Sequence, residues 1–221
     1  MRLFESEPWV LASGNPGKLR EFRQLCEPLG WKIVSQSDLG ISEAAEPHGT
    51  FVENALAKAR HAARASGKPA FADDSGICVD ALGGAPGVHS ARYAAPVVTS
   101  ARNADAAEGR DTQDARNNAK LIAALVDNAD RRAHYTCVIV LVRHADDPEP
   151  LIAEGRWHGE IITTPRGEGG FGYDPYFFLP ALSKTAAELS AAEKNNISHR
   201  GLALAQLASQ LDHLQRSAMP R

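Results

Sequence analysis

The sequence predicts an α/β fold built on a mixed β-sheet. Three observations carry that expectation. A short apolar strand, a glycine-bearing turn, an amphipathic helix and a second strand follow one another between Trp9 and Ser35. A capped helix then leads straight into another strand between Thr50 and Asp74. A β-branched run at Ala133 to Arg143 is followed across HADDPEP by a second run at Leu151 to Thr163, as in a hairpin. Strand–helix–strand order implies parallel pairing, and a hairpin adds an antiparallel pair.

Each element has a local reason. Trp9 to Ala12 is apolar and ends in SGNPGK, Ser13 to Lys18. Leu19, Phe22, Leu25, Cys26 and Leu29 then recur at helical spacing, and Gly30 closes the helix. Trp31 to Ser35 is the next strand, and Gln36 to Gly49 a polar loop that holds Glu43 and Glu46. Thr50 and Glu53 form a capping box. Phe51, Ala55, Leu56, Ala59, Ala62 and Ala63 line one face of the helix that follows, with Glu53, Lys58 and Arg60 largely off it. Ala94 to Thr112 reads as a surface loop or a frayed helix, and Gln113 to Val126 as a helix with Ala119, Ile122, Ala123 and Leu125 inward. Glu168 to Phe178 is a glycine- and aromatic-rich loop. A short helix near Thr185 to Glu188, a capping box at Ser190 and Glu193, and a last helix from Ser198 to about Leu214 complete the chain.

The central stretch is FADDSGICVDALGGAPGVHSAR, Phe71 to Arg92. Asp73 and Asp74 are expected where a short strand ends, with Ser75-Gly76 turning the chain and Ile77 to Val79 forming a second strand. Two like charges about 4 Å apart repel by about 4 kcal/mol at an effective dielectric of about 20. Such a pair persists if its members fan apart in water, share a proton or hold a cation. A solvated turn accounts for the residues equally well.

Composition narrows the function classes. The chain has 221 residues, 43% hydrophobic and 23% charged, enough for one domain or two small lobes with a real core. The net charge of −3 provides no global basic field, so a nucleic-acid partner is not expected. Cys26, Cys78 and Cys137 make neither a CxxC pair nor a disulfide framework, as expected of reduced thiols in a cytoplasmic protein. The first residues do not have the pattern of a signal peptide, and no apolar run reaches the ~20 residues that span a bilayer.

Four segments carry candidate chemistry. Ser13, Gly14, Asn15, Pro16, Gly17 and Lys18 follow a strand and open a helix, where backbone N–H groups and the lysine could cradle a polyphosphate. The spacing is not that of a Walker A loop, and a turn with a solvated lysine fits as well. Gly167 to Pro175, GEGGFGYDP, sets Phe171 and Tyr173 among glycines, where an aromatic ring could stack on a base, and ends in Asp174. A tight turn with a core phenylalanine is the alternative. Lys194, His199 and Arg200 gather at the start of the last helix, where basic residues oppose the dipole and so call for an anionic or carbonyl-bearing partner. A surface basic cluster would look the same. Glu46, if it meets Asp74, would make an oxygen-only site suited to Mg²⁺, but the residues alone favour a solvated loop carboxylate no different from Glu43.

Motifs in this order resemble the inosine triphosphate pyrophosphatase family, most nearly its bacterial dITP/XTP branch. They are SGNPGK, TFVENALAKAR at Thr50 to Arg60, FADDSGICVDALGGAPGVHSARY at Phe71 to Tyr93, GGFGYDP and KNNISHRG. The likeness runs over nearly the whole chain, 1–221, read as a single domain. It implies a long mixed central sheet flanked by helices, two lobes with a substrate cleft between them, a homodimer, and Mg²⁺-dependent hydrolysis of ITP, dITP and XTP to the monophosphate plus pyrophosphate. Residue by residue, it implies that Ser13 to Lys18 hold the triphosphate, that Glu46 and Asp74 bind Mg²⁺, and that Asp74 accepts the proton. It further implies that Ser75 touches substrate and that Phe171, Gly172, Tyr173, Asp174, Lys194, His199 and Arg200 form the base pocket. A donor from His199, Arg200 or a backbone N–H aimed at the purine C6 carbonyl would reject ATP. One departure stands out: Ala95 to Thr112 is longer and richer in alanine than the family's connection after ARY, which bears on the shape of that edge and the dimer contact.

Two other functions compete. A Maf-like pyrophosphatase would prefer modified pyrimidine nucleotides, and the SHR run and GGFGYDP argue against it. A non-catalytic nucleotide sensor would not need both acidic positions and Lys18.

Overall fold

The computed structural model describes residues 8–94 and 106–217. The elements are β1 (Trp9–Leu11), α1 (Pro16–Cys26), β2 (Ile33–Ser35), α2 (Phe51–Ser66), β3 (Ala70–Val79), α3 (Ala106–Ala124), β4 (Arg132–Val142), β5 (Leu151–Ile161), β6 (Phe177–Leu179), β7 (Lys184–Thr185), α4 (Ala191–Ile197) and α5 (His199–Ser217). The strands form one sheet in the order β2-β1-β3-β4-β5-β6-β7. β1 pairs in parallel with β2 and β3, whereas β5, β6 and β7 pair antiparallel. The sheet is therefore mixed.

Two compact units share the chain. The first comprises residues 8–74, 137–156 and 195–217, and the second residues 75–94, 106–136 and 157–194. β3, β4 and β5 each pass from one unit to the other.

The first unit has a core on each face of its strands, and strand alternation decides which residue joins which. On one face Trp9, Leu11, Phe71, Cys137, Ile139 and Leu141 meet Phe22 and Cys26 of α1 and Ala203, Leu204, Leu207 and Leu211 of α5. On the other, Val10, Ala70, Ala72, Val138, Val140 and Val142 meet Ala55, Ala59, Ala62 and Ala63 of α2. The alanine stripe expected of α2 is the buried one, and its small side chains seat the helix close to the strands. Thr50 caps that helix as its sequence indicated: its hydroxyl accepts from the Glu53 N–H and donates to the Glu53 carboxylate. Burial of each large side chain such as Phe22 or Phe71, both fully enclosed, contributes about 1.5–3 kcal/mol. Leu29, expected to continue the apolar face of α1, lies in the 3₁₀ turn that follows it and is exposed.

The second unit packs Tyr135, Trp157 and Phe177 as an aromatic cluster, with Phe177 4.8 Å from Tyr135 and 5.2 Å from Trp157 between ring centroids. Three sequence expectations need correction here. Ser75-Gly76 does not turn the chain, because β3 runs unbroken from Ala70 to Val79. Gly76 serves close approach instead: an added Cβ would collide with the Gly87 carbonyl oxygen and Ser90 Oγ. Among the described side chains of α3 the buried ones are Asn117, Asn118 and Leu121, not Ala119 and Ala123, while Leu125, expected inward, is buried just past the helix end. Side-chain amides that bond to neighbouring backbone set that face, and apolar periodicity alone does not reveal them. Finally, α3 begins at Ala106, within the stretch read as a loop or frayed helix, while residues 95–105 of that stretch lie outside the described residues.

Candidate active site

β3 places Asp73 and Asp74 on opposite faces of the first unit. Asp73 shares the face of Phe71, where α1 and α5 pack, and its Oδ2 lies 2.9 Å from Lys18 Nζ and 3.4 Å from Arg200 Nη2. Arg200 also pairs with Glu21 of α1. The Asp73 side chain has no solvent exposure. Burial alone would push its carboxyl up, but the Lys18 and Arg200 charges hold it well below the usual carboxylate range.

Asp74 shares the face of α2. Its Oδ1 lies 3.0 Å from Lys58 Nζ, and its Oδ2 accepts from Asn54 Nδ2 at 3.2 Å. Lys58 Nζ also donates to Glu46 Oε1 at 2.7 Å, so Glu46 and Asp74 converge on one ammonium group. Asn54 further exchanges two hydrogen bonds with the backbone of His48, which pins the loop that carries Glu46. Burial pushes the Asp74 carboxyl above its ordinary value. Lys58 and Lys18 oppose that shift and Glu46 adds to it. A buried carboxyl poised this way can take a proton.

Sequence reasoning missed Asn54 and Lys58. Their spacing of four puts them on one helical face beside the alanine stripe, which was the available signal. Lys58, expected largely off the inner face, is 12% exposed at its side chain and pairs with both acids.

The Ser13–Lys18 turn leads from β1 into α1. Asn15 caps the helix, accepting from the Gly17 N–H at 2.9 Å and the Lys18 N–H at 3.2 Å, and Ser13 Oγ accepts from the Asn15 N–H at 3.3 Å. Pro16 occupies the first helical position, where a missing N–H costs nothing. The N–H groups expected to point outward are thus engaged by Asn15, and an anion at this turn would have to displace its carboxamide. His199 opens α5 and is buried.

In the second unit Asp174 organises the aromatic loop. Its Oδ2 accepts from the Phe171 N–H at 2.9 Å and from Lys194 Nζ at 2.6 Å, and its Oδ1 lies 3.4 Å from the Tyr135 hydroxyl. Lys194 Nζ stands 5.2 Å from the centre of the Phe171 ring, which is only partly buried. Tyr173 is buried and donates its hydroxyl to the Ser90 carbonyl at 2.8 Å. Ser75 lies on β3, partly exposed.

The chain is similar to known proteins over most of its length. A model described as the Ham1 family matches residues 9–210. A dITP/XTP pyrophosphatase of Ralstonia nicotianae is 64% identical over 202 residues, 91% of this chain and 95% of that protein. One of Burkholderia pseudomallei is 63% identical over 206 residues, covering 93% and 94%. A solved HAM1 protein from Coxiella burnetii, 46% identical, superposes with a TM-score of 0.80 over 93% of this chain and 98% of that one.

Proposed function

The chain belongs to the Ham1 family, and we propose that it hydrolyses non-canonical purine nucleoside triphosphates, ITP, dITP and XTP, to the monophosphate and pyrophosphate. Relatives named dITP/XTP pyrophosphatase at 63–64% identity support this activity. Within the structure, the supporting observation is the convergence of Glu46 and Asp74 on one cation.

Two hard carboxylate oxygens pointed at one small volume that already accommodates positive charge are a donor set that suits Mg²⁺, with water and phosphate oxygens completing the shell. Glu46 and Asp74 would hold the ion. When bound, it would neutralise charge that develops on the phosphates. Asp74 accepts the proton of the attacking water as the new O–Pα bond forms and the bond from Pα to the bridging oxygen breaks. Pyrophosphate leaves toward the Ser13–Lys18 turn. Asp73 pairs with Lys18 and fixes it there.

In the second unit the purine stacks on Phe171, a contact worth ~1–3 kcal/mol. Asp174 and Lys194 fix that ring's loop, and Tyr173 anchors it to Ser90. Arg200 is committed to Glu21 and Asp73 and acts through Asp73. Ser75 touches substrate beside Asp74. The enzyme works as a homodimer in the cytoplasm, a compartment that suits the buried thiols of Cys26 and Cys137. No described helix is long and apolar enough to cross a membrane.

The test is pyrophosphate release from dITP, XTP, ATP, GTP, dUTP and dTTP with and without Mg²⁺. Preference for dITP and XTP in the presence of Mg²⁺ is expected. Preference for dUTP or dTTP would favour a Maf-like enzyme, and binding without turnover would favour a sensor.

A further inference from the structure

Side chains of α3 hold the aromatic loop by its backbone. The Gly172 N–H donates to Asp114 Oδ2 at 2.9 Å, and the Gly172 carbonyl accepts from Asn118 Nδ2 at 2.9 Å. Asp114 and Asn118 are four residues apart, one above the other on one helical face. Asn117, next on that face, donates to the Ser90 and Ala91 carbonyls at 3.3 and 3.2 Å and accepts from the Ala94 N–H at 2.8 Å. The Ser90 carbonyl also receives the Tyr173 hydroxyl. One face of α3 therefore holds Gly172 directly and Tyr173 through Ser90.

An open cavity lined by Asp114, Asn118, Gly170, Phe171 and Pro175 lies where the helix and the loop meet. Gly172 has φ +65°, and a loop so rich in glycine has many conformations to lose when it binds a ligand. A clamp on both polar groups of Gly172 removes that freedom before substrate arrives.

We propose that Asp114 and Asn118 are positioning residues for purine recognition: together they fix Gly172 so that Phe171 and Asp174, on either side of it, present a preformed edge to the base. This rests on the reading of Phe171 to Asp174 as the base-binding loop.

The test compares Asp114→Ala and Asn118→Leu with Asp114→Asn, which keeps an acceptor for the Gly172 N–H. In the first two, KM for dITP should rise about tenfold, the scale of one lost hydrogen bond, with kcat within about twofold of the unmodified enzyme. Inhibition by inorganic tripolyphosphate, which has no base, should not change, and Asp114→Asn should restore KM. Amide exchange across residues 167–176 should quicken in both disruptive variants, while exchange in α2 stays as it was. Unchanged KM with unchanged exchange would overturn the clamp, as would a fall in kcat that matches the rise in KM. The exchange measurement needs no turnover, so it judges the clamp even if dITP proves not to be the substrate.

Discussion

Asp73 and Asp74 are neighbours in sequence but face different helices: Asp73 meets Lys18 and Arg200 from α1 and α5, and Asp74 meets Lys58 and Asn54 from α2. Strand alternation separates the two charges. Each then pairs directly with different cations, and their environments push their carboxyls in opposite directions, Asp73 down and Asp74 up. One acid is held as an anion that anchors cations, and the other is the more readily protonated of the two.

Asp73→Asn should destabilise the protein by about 3–5 kcal/mol, the cost of leaving buried charges without their partner. The pH dependence follows from the sign of the shift. A carboxyl lowered on folding contributes stability above its unfolded value of about 3.9, and that contribution fades as pH falls toward the lower folded value. Urea unfolding between pH 3 and 7 should therefore show stability that declines at the acid end in the unmodified protein, with a shallower decline in Asp73→Asn.

Lys58→Gln should leave Glu46 and Asp74 facing one another without a cation. The variant should be less stable in EDTA, and Mg²⁺ should restore more stability to it than it adds to the unmodified chain. Saturation at about a hundred times the dissociation constant corresponds to about 2.7 kcal/mol, which thermal melts with and without Mg²⁺ would resolve. An equal Mg²⁺ effect in both proteins would remove the cation from this pair.

Glu46→Gln removes one of the two carboxylates but leaves Asp74 in place. The Mg²⁺ concentration for half-maximal pyrophosphate release should rise at least tenfold, with most of kcat recovered at saturation. A loss of rate that Mg²⁺ cannot restore would assign Glu46 another role.

Much of this was legible in the sequence because it depends on local patterns. The alanine stripe of α2, its Thr50 cap, the helix opened by SGNPGK and the apolar run of β4 each follow from spacing and capping chemistry. Long-range pairing was not legible. Nothing local distinguishes Glu46 from Glu43, since only the reach of Lys58 and the Asn54 tie to His48 single it out. The basic residues near α5 do need an anionic partner, but the protein supplies it internally: Glu21 and Asp73 for Arg200, and Asp174 for Lys194. β6 and β7 are too short for periodicity to mark them.

The most direct measurement is pyrophosphate release from dITP by Asp74→Asn at saturating Mg²⁺, with dITP affinity measured by calorimetry on the same preparation. If Asp74 takes the proton from water, the rate falls by roughly 10²–10⁴-fold while affinity stays within a few-fold. A variant that turns over dITP at the unmodified rate would contradict that role.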